Sequence, residues 1–257
     1  MKVELRVDLG GAAPAPGTEG EVREDLAAAF RLAAHYRWDS LLATHMSARV
    51  PGEEAFLINP YGLMFEEVTA SSLVKVDLDG RILSDTPYPV NGAGFTIHSS
   101  IHEGRPDVNC VIHLHTDASM AVSALAEGLM PLNQTTMLLQ ADLAYHDYEG
   151  VAIDPGERGR LQQDLGERGM MILRNHGSLT VGETVGAAFK RMFNLERACR
   201  TQYMTLAMGR PLNQPSEEAL EKTRGMGELL RSKGSNSGPA WAALRRKLDR
   251  IDPGYRD

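Results

Sequence analysis

Two histidines separated by one residue stand in the run Val111-Ile112-His113-Leu114-His115-Thr116. Side chains alternate along a strand, so His113 and His115 project from the same face. Imidazole is the commonest protein ligand for zinc and similar metals, and two on one face make half of a site. A third imidazole follows at His176, within Leu173-Arg174-Asn175-His176-Gly177. Three neutral imidazoles leave coordination positions open, which suits a reactive centre better than a structural one. The plain alternative is three unrelated histidines, each hydrogen-bonded for local reasons. Other proton-carrying candidates are His98 and the run Tyr145-His146-Asp147-Tyr148, which gathers phenol, imidazole and carboxylate. His98 suits a fourth ligand, a proton shuttle or a structural histidine; the Tyr145 run also fits a strand edge with a solvated Asp147.

The pattern around these residues predicts the elements that position them. Residues 1–20, rich in Gly, Ala and Pro from Leu9 onward, predict a flexible arm. Val22, Leu26, Ala29, Phe30 and Ala33 recur at helical spacing over 21–36. Short strand patterns follow at Ala55-Phe56-Leu57-Ile58, Leu73-Val74-Lys75-Val76-Asp77 and Arg81-Ile82-Leu83, the last two joined by an Asp79-Gly80 hairpin turn. Phe95 to His102 reads as a helix and Arg105-Pro106-Asp107 as its break. The His strand places Val108, Cys110, Ile112 and Leu114 on one face and Val111, His113 and His115 on the other. Thr116-Asp117 caps a helix. Met170-Met171-Ile172-Leu173 is an apolar strand leading to His176, and Thr184 to Met208 is the longest helix. Beyond Gly209-Arg210-Pro211, residues 211–257 form a helical tail too small to fold alone, expected to pack on the main domain (21–210) or on a neighbouring subunit. Its Arg245-Arg246-Lys247 run fits a solvated face, a subunit contact or a contact to a substrate carboxylate. Mixed helices and strands of this kind predict a single-domain α/β/α sandwich around a mixed, largely antiparallel sheet.

Bulk properties narrow the function. The 257 residues carry a net charge of −7 and no basic tract, which argues against nucleic acid as a partner. No apolar run approaches a membrane span, and the acidic start Met1-Lys2-Val3-Glu4 does not resemble a signal peptide. Cys110 and Cys199 read as buried free thiols in a reducing compartment, so a cytoplasmic location is expected.

The segment from Phe56 to Gly209 resembles the class II aldolase/adducin family, in its adducin-like branch. The matching stretches include Phe56-Leu57-Ile58-Asn59-Pro60-Tyr61-Gly62-Leu63, Val90-Asn91-Gly92-Ala93-Gly94-Phe95-Thr96-Ile97-His98, His113-Leu114-His115-Thr116 and Leu173-Arg174-Asn175-His176-Gly177. The resemblance implies the α/β/α sandwich, a homotetramer and a zinc held by His113, His115 and His176, with Fe(II) or manganese as alternative metals. It also implies departures. The glutamate that shuttles the proton in the family's sugar-phosphate aldolases falls at Gly94, and the serine pair of their phosphate cradle at Gly92 and Ala93. The cradle's Ser/Thr-Gly falls at Tyr61-Gly62, and its Gly-Asn turn at Thr44-His45. His45, Tyr61 and Gly62 are therefore the expected substrate-binding positions, and His98 and Tyr145 the candidates for the missing acid/base.

Glycine carries no proton, and lost hydroxyls make a phosphate monoester a poor substrate. The expected function is a metal-dependent carbon–carbon lyase on a small, non-phosphorylated hydroxy-carbonyl or hydroxy-acid. Decarboxylation is favoured slightly over aldol cleavage because it depends less on the lost glutamate. The alternatives are a non-haem iron oxygenase on the same histidines and a catalytically inactive adducin-like module.

Overall fold

The computed structural model describes residues 17–150, 156–234 and 237–257. Most of the predicted arm therefore lies outside the described residues. The first helix, α1 (Glu19–His35), begins two residues before its apolar stripe predicts. Thr18 and Glu21 form a reciprocal capping box that meets the free amides of the first turn. Then come β1 (His45–Arg49), β2 (Ala55–Ile58), β3 (Val74–Asp77), α2 (Gly92–Gly104), β4 (Cys110–Leu114), α3 (Asp117–Ser123), α4 (Gln134–Leu139) and β5 (Leu143–His146). The chain continues through α5 (Glu157–Leu165), β6 (Met170–Leu173), β7 (Gly177–Gly182), α6 (Val185–Ala207), α7 (Glu217–Ser232) and α8 (Gly238–Ile251).

The seven strands form one sheet in the order β3-β2-β1-β4-β7-β6-β5, antiparallel everywhere except the β5–β6 pair. Alternation in β4 sets the two cores. Cys110, Ile112 and Leu114 pack with α1 and α6, whereas Val111 packs with Ile97 and Ile101 of α2 and Leu161 and Leu165 of α5. Helices on both faces make the expected α/β/α sandwich. Val108 departs from the predicted alternation and joins the α2 side, because it precedes the ladder in a turn closed by its amide on Arg105.

The third predicted strand, Arg81-Ile82-Leu83, is reduced to a single bridge between Ile82 and Val76. The Asp77 carboxylate accepts the Asp79 and Arg81 amides at the turn. Beyond the Leu83 amide on the Lys75 carbonyl, the Ser84 hydroxyl takes the Lys75 amide, so the pairing stops there and Ile82 and Leu83 stay exposed. In the tail, Trp241 of α8 lies against Gly186, where a Cβ would come within 2.6 Å of the indole. Arg245 pairs with Glu24 and Asp25 of α1, so it fastens the tail to its own chain. No helix among the described residues is long and apolar enough to cross a membrane.

Candidate metal centre

His113 stands on the α2 face of β4, between β1 and β7. Its Nδ1–H donates to the Ser178 carbonyl of β7 at 3.0 Å, which fixes the tautomer and leaves the Nε2 lone pair free. His115, just past the end of β4, brings its Nε2 to 2.9 Å from that of His113. His176 arrives from the tight β6–β7 turn, in which Asn175 takes a left-handed φ of 55°. Gly177 is required beside it: a Cβ there would lie 2.6 Å from the Leu114 carbonyl oxygen and 3.0 Å from the His115 ring. The His176 ring centroid is thereby 4.9 Å from that of His113 and 4.7 Å from that of His115.

One nitrogen from each imidazole lies within 4.8 Å of the others. Ligands at about 2.0–2.1 Å from a tetrahedral zinc sit about 3.3 Å apart, so the three side chains are placed to converge on one ion. A donor set of three imidazoles suits zinc or ferrous iron. The residues fit the group that the sequence implied. Burial, with the neighbouring imidazoles, holds His113 well below the usual histidine range and pushes His115 down to about 4. Burial also lowers His176. Burial thus favours the neutral form of all three rings, the form that ligates a cation.

Behind the trio lies a second set of imidazoles. His45 of β1 pairs directly with His113 across the ladder, its ring 5.4 Å from that of His113 and edge-on to His98 at 5.3 Å. Ser47 Oγ, on the same face of β1, joins His98 Nδ1 at 2.5 Å and His102 Nε2 at 2.8 Å. Burial pushes His45 and His102 down to about 3 and holds His98 well below the usual range. A cavity of about 390 Å³ opens over the trio, walled by His45, Asn91, Ile97, Met120, Tyr148 and Asn175 among others.

The structure thus brings His45, His113, His115 and His176 to one cavity. It seats His98 beneath His45, fully buried and outside the cavity wall. Tyr61 and Gly62 are not part of that wall, and Tyr61 is 44% exposed. Tyr145 is not brought to the site. It is adjacent to His146 on an edge strand, and alternation turns it to the α6 side. There its hydroxyl accepts the Leu129 amide at 3.0 Å and its ring lies under Arg174. His146 does face the α2 side, where Asp164 of α5 holds its Nδ1 at 2.7 Å. Ser178 and Ser47 were missed in the sequence. β7 has no strong strand pattern to reveal Ser178, whereas Ser47 was open to discovery as the residue two beyond His45.

Residues 24–203 match the Class II Aldolase and Adducin N-terminal domain. Alpha-adducin of Mus musculus is 43% identical across 97% of this chain, a stretch that makes up 36% of alpha-adducin. Among solved structures, an aldolase II superfamily protein from Pseudomonas syringae matches with a TM-score of 0.89 and 46% identity, over 95% of this chain and 98% of that one. The L-fuculose 1-phosphate aldolase of Glaciozyma antarctica PI12 matches with a TM-score of 0.78 and 27% identity, over 95% and 97%.

Proposed function

The chain belongs to the class II aldolase and adducin family, and from that premise we propose that it is a metal-dependent carbon–carbon lyase acting on a small, non-phosphorylated hydroxy-carbonyl or hydroxy-acid. The observation that carries this is the convergence of His113, His115 and His176 at the floor of a cavity. Zinc, or ferrous iron or manganese in its place, would supply a Lewis acid that stabilises negative charge on an oxygen beside the breaking bond. The chain does the rest. Ser178 aims His113, the β6–β7 turn delivers His176, and Ile97, Met120 and Tyr148 keep the cavity wall largely apolar. His45, with Asn91 and Asn175, faces the substrate as a polar group of the cavity wall. His98 supports it from behind with an unpartnered Nε2. Tyr61 and Gly62 would act only at the outer approach, and Tyr145 leaves the catalytic set because its hydroxyl is engaged on the other side of the sheet.

Gly94 offers no proton. Loss of carbon dioxide needs no protein acid on its leaving group, so decarboxylation remains favoured over aldol cleavage. The cytoplasmic location stays part of the proposal, supported by two buried free thiols. The homotetramer stays too, supported by the family resemblance. The 43% identity with alpha-adducin supports a second reading, a binding module without catalysis.

Metal analysis of freshly purified protein, with His113→Ala as control, separates these readings. About one transition metal per chain in the unmutated protein, with carbon dioxide or aldehyde released from a panel of hydroxy-acids, is the expected result. Metal without turnover favours the binding module, and oxygen consumption with bound iron favours an oxygenase. Absence of metal from the unmutated protein overturns the lyase.

A further inference from the structure

Position 94 and His45 occupy one space. A Cβ built on Gly94 would lie 2.5 Å from His45 Cδ2 and 2.7 Å from its Cγ and Nε2, distances that no packed atom tolerates. The imidazole of His45 therefore rests on the bare backbone of α2, in the volume that any side chain at 94 would need. His113 lies on one side of it and His98 meets it edge-on.

The ring is held in place, yet its polar atoms are idle. Nδ1 is buried with no hydrogen-bond partner, and no group among the described residues bonds the other nitrogen. A buried polar atom left unmet is costly, and such atoms in native structures call for a ligand or water. His45 is 3% exposed and forms part of the cavity wall over the three histidines. No Lys or Arg is among the described residues of that wall, so nothing there balances a phosphate dianion.

We propose that His45 is the side chain that reads the ligand, occupying the space left by Gly94 and hydrogen-bonding through a ring nitrogen to an oxygen of a small hydroxy-carbonyl ligand seated at His113, His115 and His176. The inference rests on the metal-centre proposal above. The absence of a side chain at 94 is then a condition for His45 to work, and the two positions act as a unit.

Acetohydroxamate, a small bidentate oxygen donor, tests this by calorimetric titration into zinc-loaded protein, with zinc content measured for every variant. His45→Leu should keep one zinc per chain and bind the probe about tenfold more weakly, the effect of one lost hydrogen bond. His45→Gln, which restores a donor and an acceptor, should recover most of that affinity. Gly94→Ala should weaken binding by a similar factor in the unmutated background and by nothing further in His45→Ala, where the clashing ring is gone. Equal affinity in His45→Leu and the unmutated protein would overturn the assignment, as would a neutral Gly94→Ala. If His45→Leu does not fold, the Gly94→Ala pair decides alone. Failure of the unmutated protein to take up zinc sinks the metal-centre proposal together with this one, whereas zinc uptake with indifferent probe binding sinks only the role of His45.

Discussion

Both faces of the sheet bury polar groups, and a cluster on each treats them in opposite ways. On the α6 side one cluster around α6 is closed on itself. Glu196 accepts the Thr116 hydroxyl, Gln202 bridges the Met130 amide at 2.6 Å and the Gly128 carbonyl at 2.8 Å, and Tyr145 accepts the Leu129 amide. On the α2 side His45 Nδ1, His98 Nε2 and His102 Nδ1 are buried without partners. Of the open atoms on the α2 side, His45 Nδ1 belongs to a side chain of the cavity wall, where a ligand or water can meet it.

Four experiments bear on that contrast. The largest effect belongs to the open side: His176→Ala should lower zinc affinity at least about a hundredfold, read by competition with a chromophoric chelator, since loss of even an outer-sphere partner costs about 10–100-fold. In metal-free protein it should barely move the urea midpoint, because His176 sits in a turn rather than in the core. Gln202→Leu should do the reverse. It strands an amide and a carbonyl at about 1–3 kcal/mol each, so unfolding should become about 3 kcal/mol easier while zinc stoichiometry holds.

The two sides should also respond to pH with opposite sign. Burial, partly offset by the Thr116 bond, pushes Glu196 up to about 7 from an ordinary 4.5. Its folded pKa is raised, so its contribution is complete below pH 4.5 and is lost as pH rises through 7. Relative to Glu196→Gln, the unmutated protein should lose on the order of 2–3 kcal/mol across that window, measured by urea titrations at several pH values. The buried imidazoles are lowered instead, so their contribution is present above 6.5 and is lost as pH falls. Equal pH slopes for the two proteins would remove Glu196 from the contrast. The smallest effect is Tyr145→Phe, which should cost about 1 kcal/mol and leave turnover unchanged. A fall in turnover at constant stability would return Tyr145 to the site.

Residue types along single elements carried most of the fold and the metal trio into view. His113 and His115 are legible because a strand alternates, and His176 because it follows an apolar strand within a motif that the family resemblance supplied. The misreadings share a different cause. Tyr145 looked chemically equal to its neighbour His146 until strand alternation sent the two to opposite sides. Arg81-Ile82-Leu83 has strand-like residues and pairs with β3 through one bridge, where the Asp77 carboxylate holds the turn and Ser84 Oγ takes the Lys75 amide. The packing of His45 on Gly94 joins residues on separate elements, and no periodicity reports it. Sequence places a residue on a face; it does not say which side chain from another element occupies the space above it.

The β4–β7 ladder has a consequence for how the protein is made. His113 and Ser178 are 65 positions apart in the chain, and their hydrogen bond exists only after the strands carrying them have met. The metal pocket is therefore absent from every partly folded chain that has not closed this long loop, a slow step in folding because its entropy is spent before contacts repay it. An ion bound as proposed would clasp the two ends of that loop and add about 4 kcal/mol of protection at a thousandfold excess over its dissociation constant. A nascent chain would thus have no proposed metal pocket until β4 and β7 pair, and would lose the pocket whenever that pair opens.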